Sequence, residues 1–199
     1  MANISTPFGL RSFGVLEGSP PTYGTSTRKI ASGNGTAIGR GDLLVTLATG
    51  YVTVYTAASA LPCAGVFQGC EYLSVSQKIK VRSPFWPGSD ANGDVLVFVI
   101  DDPRATFIGQ SSGAPIVQNN GVGMNVDIVA GSGVNTTTGY SGQQLNATPA
   151  VTATLPLRVL RLASDVLAAG SNGSDNTTNF NMVILGFNNI EGKPGTLGI

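Results

Sequence analysis

Apolar residues in this chain recur at alternate positions in short runs, and glycine, proline and asparagine separate the runs. Alternation is the spacing of a strand with one buried face. Leu43-Leu44-Val45-Thr46-Leu47, a turn at Ala48-Thr49-Gly50, and Tyr51-Val52-Thr53-Val54-Tyr55 predict a hairpin. Ala64 to Cys70 predicts a strand whose glycines leave room for bulges or close backbones. Lys78-Ile79-Lys80-Val81-Arg82 alternates with its cations on one face. Val95-Leu96-Val97-Phe98-Val99-Ile100 is apolar on both faces, which predicts a buried strand. Further strands are expected at Ala105–Ile108, weakly at Met124–Ala130, at Leu157–Leu162 and at Met182–Phe187, with a short helical turn possible after Ser164.

No amphipathic helix, heptad or internal repeat is legible. Many short strands predict an all-β fold, a single β-barrel or a jelly-roll-like β-sandwich. Residues 1–30 read as an extended N-terminal arm: Pro20 and Pro21 forbid a central strand there, while Phe8, Leu10 and Phe13 predict docking. The β-domain covers 31–190, and 191–199 form a tail. Residues 131–150 are almost wholly Gly, Ser, Thr, Asn and Gln, which predicts a projecting polar loop over about 131–156.

Composition narrows the function. The 199 residues include no histidine and only 22 charged side chains, 11 of each sign. The commonest acid–base group at neutral pH is absent, so a catalyst is not expected. Zero net charge with no basic stripe argues against nucleic acid and favours assembly. The N-terminus lacks a secretory pattern and no apolar run is long enough for a membrane helix. Synthesis in a reducing cytosol is expected, with Cys63 and Cys70 as buried free thiols. Their odd separation places them on opposite faces of one continuous strand. The Asn-x-Ser/Thr triplets are read as by-products of composition.

Candidate sites are sparse. Asp90, Asn92 and Asp94 resemble a calcium loop, but the sixth position is Val95 and the twelfth is Asp101, so a hairpin turn is preferred. Arg40-Gly41-Asp42 spells an adhesion tripeptide and is read as chance. The glycines from Gly33 to Gly39 miss the dinucleotide fingerprint. Asp101 and Asp102 are read as turn formers before Pro103. No metal or cofactor is expected. Trp86, between Phe85 and Pro87, is either a core aromatic or an interface anchor.

Several segments taken in order resemble a known family. They are Ala2-Asn3-Ile4-Ser5-Thr6-Pro7-Phe8-Gly9-Leu10-Arg11, Gly65-Val66-Phe67-Gln68-Gly69-Cys70-Glu71-Tyr72, Phe85-Trp86-Pro87-Gly88, Asp101-Asp102-Pro103 and Gly139-Tyr140-Ser141-Gly142. The set resembles small structural proteins of tailed bacteriophages, of the capsid cement or decoration type, over roughly residues 1–165. Residues 166–199 depart from that pattern. The resemblance implies an all-β, often trimeric virion protein without catalytic residues. It is made in the bacterial cytoplasm, sits on the capsid exterior and bridges neighbouring major capsid proteins. Phe8, Leu10, Phe13, Phe85, Trp86 and Tyr140 are the expected capsid or subunit contacts. The alternatives are another virion part (a head fibre base, tail component or host-binding β-module) or a carbohydrate-active enzyme.

Overall fold

The expected strands assemble into two antiparallel sheets. The computed structural model describes residues 3–16, 24–129, 133–163 and 176–199. In chain order the elements are β1 (Arg11–Val15), β2 (Ser26–Ile30), β3 (Leu43–Thr46), β4 (Val52–Val54), β5 (Cys63–Leu73), β6 (Lys80–Ser83), β7 (Val95–Ile100) and β8 (Ala105–Gln110). They continue with α1 (Gln118–Gly121), β9 (Asn125–Val126), β10 (Ile128–Val129), β11 (Gln144–Leu145), β12 (Leu157–Leu162) and β13 (Met182–Phe187). One sheet runs β1-β8-β13-β12-β9 and the other β2-β7-β5-β3-β4, with β6 also on β5; β10 and β11 form a small ribbon. The sheets keep free edges, so the fold is sandwich-like and not a closed barrel.

Two cores hold the sheets. Leu43, Val66, Phe107, Leu157, Val159, Leu185 and Phe187 belong to one that draws on both sheets. Ile38, Leu44, Phe67, Trp86, Val95, Val97 and Val99 form a second, on the other face of the β2–β7–β5–β3–β4 sheet. The strand β7 is central, between β2 and β5, but its expected burial on both faces is corrected: Val95, Val97 and Val99 enter the second core, while Leu96 and Phe98 on the other face are half-buried.

The strand β5 turns twice on itself through bulges. Cys63 pairs with Val45 and Gly65 with Leu44, leaving Ala64 as the extra residue. Phe67 then pairs with Val99 and Gly69 with Phe98, leaving Gln68. Each bulge inverts the alternation of faces, and two restore it. Cys63 therefore enters the first core and Cys70 the second, as free thiols. Burial pushes both thiols up to about 12, which disfavours their thiolate forms in the folded chain.

The structure gives three of the segments more detail. The arm docks through Leu10 and supplies β1 and β2, as edge strands of different sheets. Ser26-Thr27-Arg28-Lys29-Ile30 was illegible because only Ile30 is buried. The polar loop does not simply project: Gly139, Ser141, Gly142, Gln143 and Leu145 are buried. Its polar groups satisfy neighbouring backbone, so polarity there marks hydrogen bonding rather than exposure. The tail is tied down, with Ile199 N–H donating to Gly123 O (3.3 Å) and Arg158 donating to Leu197 O. The Lys78 end of the predicted β6 lies in a turn at φ 59°. The helical turn expected after Ser164 lies outside the described residues.

Candidate interaction surface

The N-terminal strap fixes the first group of candidate residues. Thr6 N–H donates to Gln110 Oε1 (3.0 Å), Gln110 Nε2 donates to Ile4 O (3.0 Å), and Leu10 N–H donates to Gly41 O (2.8 Å). Leu10 drops into the core shared by both sheets. Phe8 and Tyr140 both lie against Arg11, whose guanidinium carbon is 5.5 and 5.9 Å from their ring centres. Phe85 and Pro84 close over Gly139, each 3.1 Å from where a Cβ would stand. Phe8, Phe85 and Tyr140 thus gather around residues 139–141, with Leu10 beneath the strap. Phe13 lies elsewhere, 52% exposed, with Arg161 stacked 5.5 Å above its ring. Trp86 is wholly buried and faces the second core. Leu10 and Trp86 present no surface to a partner.

Beneath this group lies a buried carboxylate. Asp42 Oδ2 accepts from Gly39 N–H (2.6 Å) and Oδ1 from Ser141 Oγ (2.5 Å). Ser141 Oγ accepts from Gln143 N–H (2.9 Å), and Gln143 Oε1 accepts from Leu43 N–H (2.8 Å). The Arg40-Gly41-Asp42 tripeptide is therefore a junction: Asp42 is buried while Arg40 is exposed, so the two charges are not displayed together. Burial pushes Asp42 up to about 6 from 3.8, against the pull of the Ser141 and Gly39 hydrogen bonds.

That shift has a sign. Between 3.8 and about 6 the folded chain holds a proton that the unfolded chain releases. Stability therefore falls as pH rises through this window and stays lower above it, by about 3 kcal/mol in total. Asp90, held below its ordinary value by Ser74 and Ser76, acts in the opposite sense but only at lower pH. In Asp42→Asn an amide can keep both contacts by donating to Ser141. Urea titrations at pH 7 and pH 5 should show the wild type gaining stability on acidification, and D42N losing most of that gain. An unchanged pH slope in D42N would assign the effect elsewhere.

A trench opens beside the strap. One lobe, about 440 Å³, is lined by Arg11, Arg40 and Tyr140 over Leu10 and Ile100. The next, about 410 Å³, is lined by Arg82 and Phe98, and the lobes share Thr25 and Gln68. Arg82 stacks 4.9 Å above Phe98, and Arg40 Nε donates to Gln68 Oε1 (3.3 Å). These arginines are far apart in sequence, so no charge run announced them. On β6 the expected shared face of Lys80 and Arg82 exists; Lys80 pairs with Glu71.

A second exposed feature is the β5–β6 hairpin tip. Leu73, Val75 and Ile79 are 44%, 46% and 56% exposed. The tip is braced: Ser74 Oγ and Ser76 N–H donate to the Asp90 carboxylate at 2.5 and 2.7 Å, and Val75 N–H donates to Asp90 O at 2.9 Å. This is the use of Asp90. Asp94 faces Tyr51 (3.0 Å) and Lys29 (3.8 Å), so the two carboxylates of the calcium-like loop serve different neighbours. Asp101 accepts from Ser26 and pairs with Arg28, while Asp102 accepts from Arg104 N–H. Among the described residues no three His, Cys, Asp or Glu side chains group as metal ligands, and no helix is long and apolar enough to cross a membrane.

No protein-family model, curated protein or solved structure matches this chain.

Proposed function

We propose that this chain is a bacteriophage capsid cement protein that binds the outside of the icosahedral head and bridges neighbouring major capsid proteins. The observation that carries the reading is convergence. The resembling segments around Leu10, Phe67, Phe85 and Tyr140 are distant in sequence, yet they cross at one junction. Leu10 N–H donates to Gly41 O, Gly41 N–H to Phe67 O, Arg40 N–H to Gly139 O, and Ser141 N–H to Arg40 O. Phe85 packs on Gly139 at the same place, so most of the motifs that carry the resemblance are neighbours in the fold, which supports reading them together. The braced hairpin tip also supports an assembly role, because a rigid apolar projection loses little entropy on docking. The carboxylates described above are engaged in hydrogen-bonded turns and ion pairs, which supports a structural rather than a catalytic part.

Such a protein acts by differential affinity. It holds the expanded shell if its contact points match that shell better than the compact precursor. Association into a homotrimer would add effective concentration to each contact. Purified protein should co-sediment saturably with expanded heads stripped of it, and far less with unexpanded heads. The double variant Val75→Ser with Ile79→Ser should weaken this binding at least ten-fold at unchanged melting temperature, because both side chains are surface anchors. Equal binding to both shell forms, or none to either, would overturn the reading. Full-affinity binding by the variant would remove the tip from it.

A further inference from the structure

In a chain with no net charge, three arginines converge on one trench without a carboxylate among its described lining residues. Arg28, Lys29 and Lys80 each have an acidic partner, at Asp101 and Glu191, Asp94, and Glu71. Arg11 and Arg40 have none among the described residues; Arg82 stands opposite Glu71 across β5 and β6, but that carboxylate is paired with Lys80. Each is held by an uncharged group: Phe8 and Tyr140 for Arg11, Gln68 for Arg40, Phe98 for Arg82. Stacking and amide contacts fix a guanidinium while leaving its charge uncompensated. Fixed, unpaired forks are preorganised for carboxylates, which they bind bidentately.

We propose that this trench binds an acidic, extended polypeptide segment of a partner protein. The shape favours a chain over a single anion: two lobes joined at Thr25 and Gln68 form an elongated site. One wall is β1, which among the described residues pairs only with β8 and so has an open edge for an extended segment to run beside. Half-buried Phe98 on the floor suits intervening apolar or threonine side chains, since alternate residues of an extended chain point oppositely. Nucleic acid is disfavoured by the balanced 11 and 11 charges, which leave no broad basic surface beyond the trench. The proposal does not rest on the capsid reading, because a peptide titration tests it without any virion part.

The experiment is fluorescence anisotropy of the full chain with a labelled peptide of alternating Asp and Thr, about eight residues long to span both lobes. Saturable binding that weakens with salt is expected, together with no binding of the matching Lys-Thr peptide. Arg11→Gln, Arg40→Gln and Arg82→Gln should each weaken binding about ten-fold, the loss of a charge-assisted pair. Lys78→Gln, outside the trench, should leave it unchanged. Should a glutamine variant melt early, the Arg→Lys series replaces it: charge without the fork should give intermediate affinity. No saturable binding, or binding that survives the triple Arg→Gln change, overturns the proposal. So does tighter binding of oligothymidine, which would make the trench a nucleic-acid site. Complete displacement of the peptide by inorganic phosphate also overturns it, in favour of a free-anion site.

Discussion

Replacing Gly65 by alanine is expected to lower the unfolding free energy by about 3–5 kcal/mol, the sum of backbone strain and overpacking at a central strand. Gly65 follows the first bulge of β5 at φ 130°, a conformation that L side chains rarely adopt. A Cβ there would stand 2.5 Å from Ile100 O and 2.6 Å from Val99 Cγ1, both on β7. Neither can retreat cheaply: the first is backbone and the second belongs to a wholly buried residue. Gly50 supplies the control, because its φ is also positive at 82° while nothing lies within 4 Å of its missing Cβ. Gly50→Ala should therefore cost only about 1 kcal/mol, the strain alone. Urea denaturation of both variants separates the two effects. Equal losses would show that β7 is not in close contact with Gly65.

Trp86→Ala is expected to cost about 3–5 kcal/mol, as large aromatic deletions from cores do. Trp86 is the chain's only tryptophan and is completely buried. It meets Tyr72 edge to face with centres 5.2 Å apart, and its Nε1 donates to Asn34 O at 3.2 Å. The backbone on either side is also tied in, since Ile38 and Trp86 exchange two main-chain hydrogen bonds of 2.9 and 2.8 Å. The indole thus closes the second core from the loop side. For a domain of this size the melting temperature should fall by about 6–20 °C. Trp86→Phe keeps most of the apolar volume and loses the Nε1 hydrogen bond, so a drop of about 1–2 kcal/mol is expected. Native fluorescence should be that of an indole shielded from water and should shift only on global unfolding. A Trp86→Ala chain that melts normally would show that this residue is a surface anchor instead of part of the core.

The two positions show different degrees of legibility. The glycines of Ala64–Cys70 pointed to bulges or close backbones, and the structure has both, because a bulged strand against a neighbour needs backbone freedom and space that other residues lack. Trp86 was ambiguous, because the same aromatic ring suits a core or an interface and only its surroundings choose. Among the candidate contacts, Phe8, Phe85 and Tyr140 share a neighbourhood, while Leu10 went inward. No local signal separated them: all are apolar residues in segments rich in glycine and proline. Asp42 and the trench arginines carry no local signal for a further reason. A buried carboxylate looks like any turn aspartate, and three arginines spread over residues 11–82 form no run.

What the sequence by itself determined is the all-β class and the position of the strongly apolar strands. Alternation and β-branched runs report the burial of each residue against its own local backbone, which is a short-range property. It also bore out the opposite placement of Cys63 and Cys70, although through two cancelling bulges instead of a continuous strand. Only the tertiary structure decided that the supposed arm supplies β1 and β2, that the polar segment 139–145 is interior, and that Arg11, Arg40 and Arg82 share one trench. Edge strands such as Ser26–Ile30 bury too little to show a period, and polar residues go inward where a distant backbone needs a partner. Those facts depend on which segments meet across the fold, and that is set by packing between residues far apart in the chain.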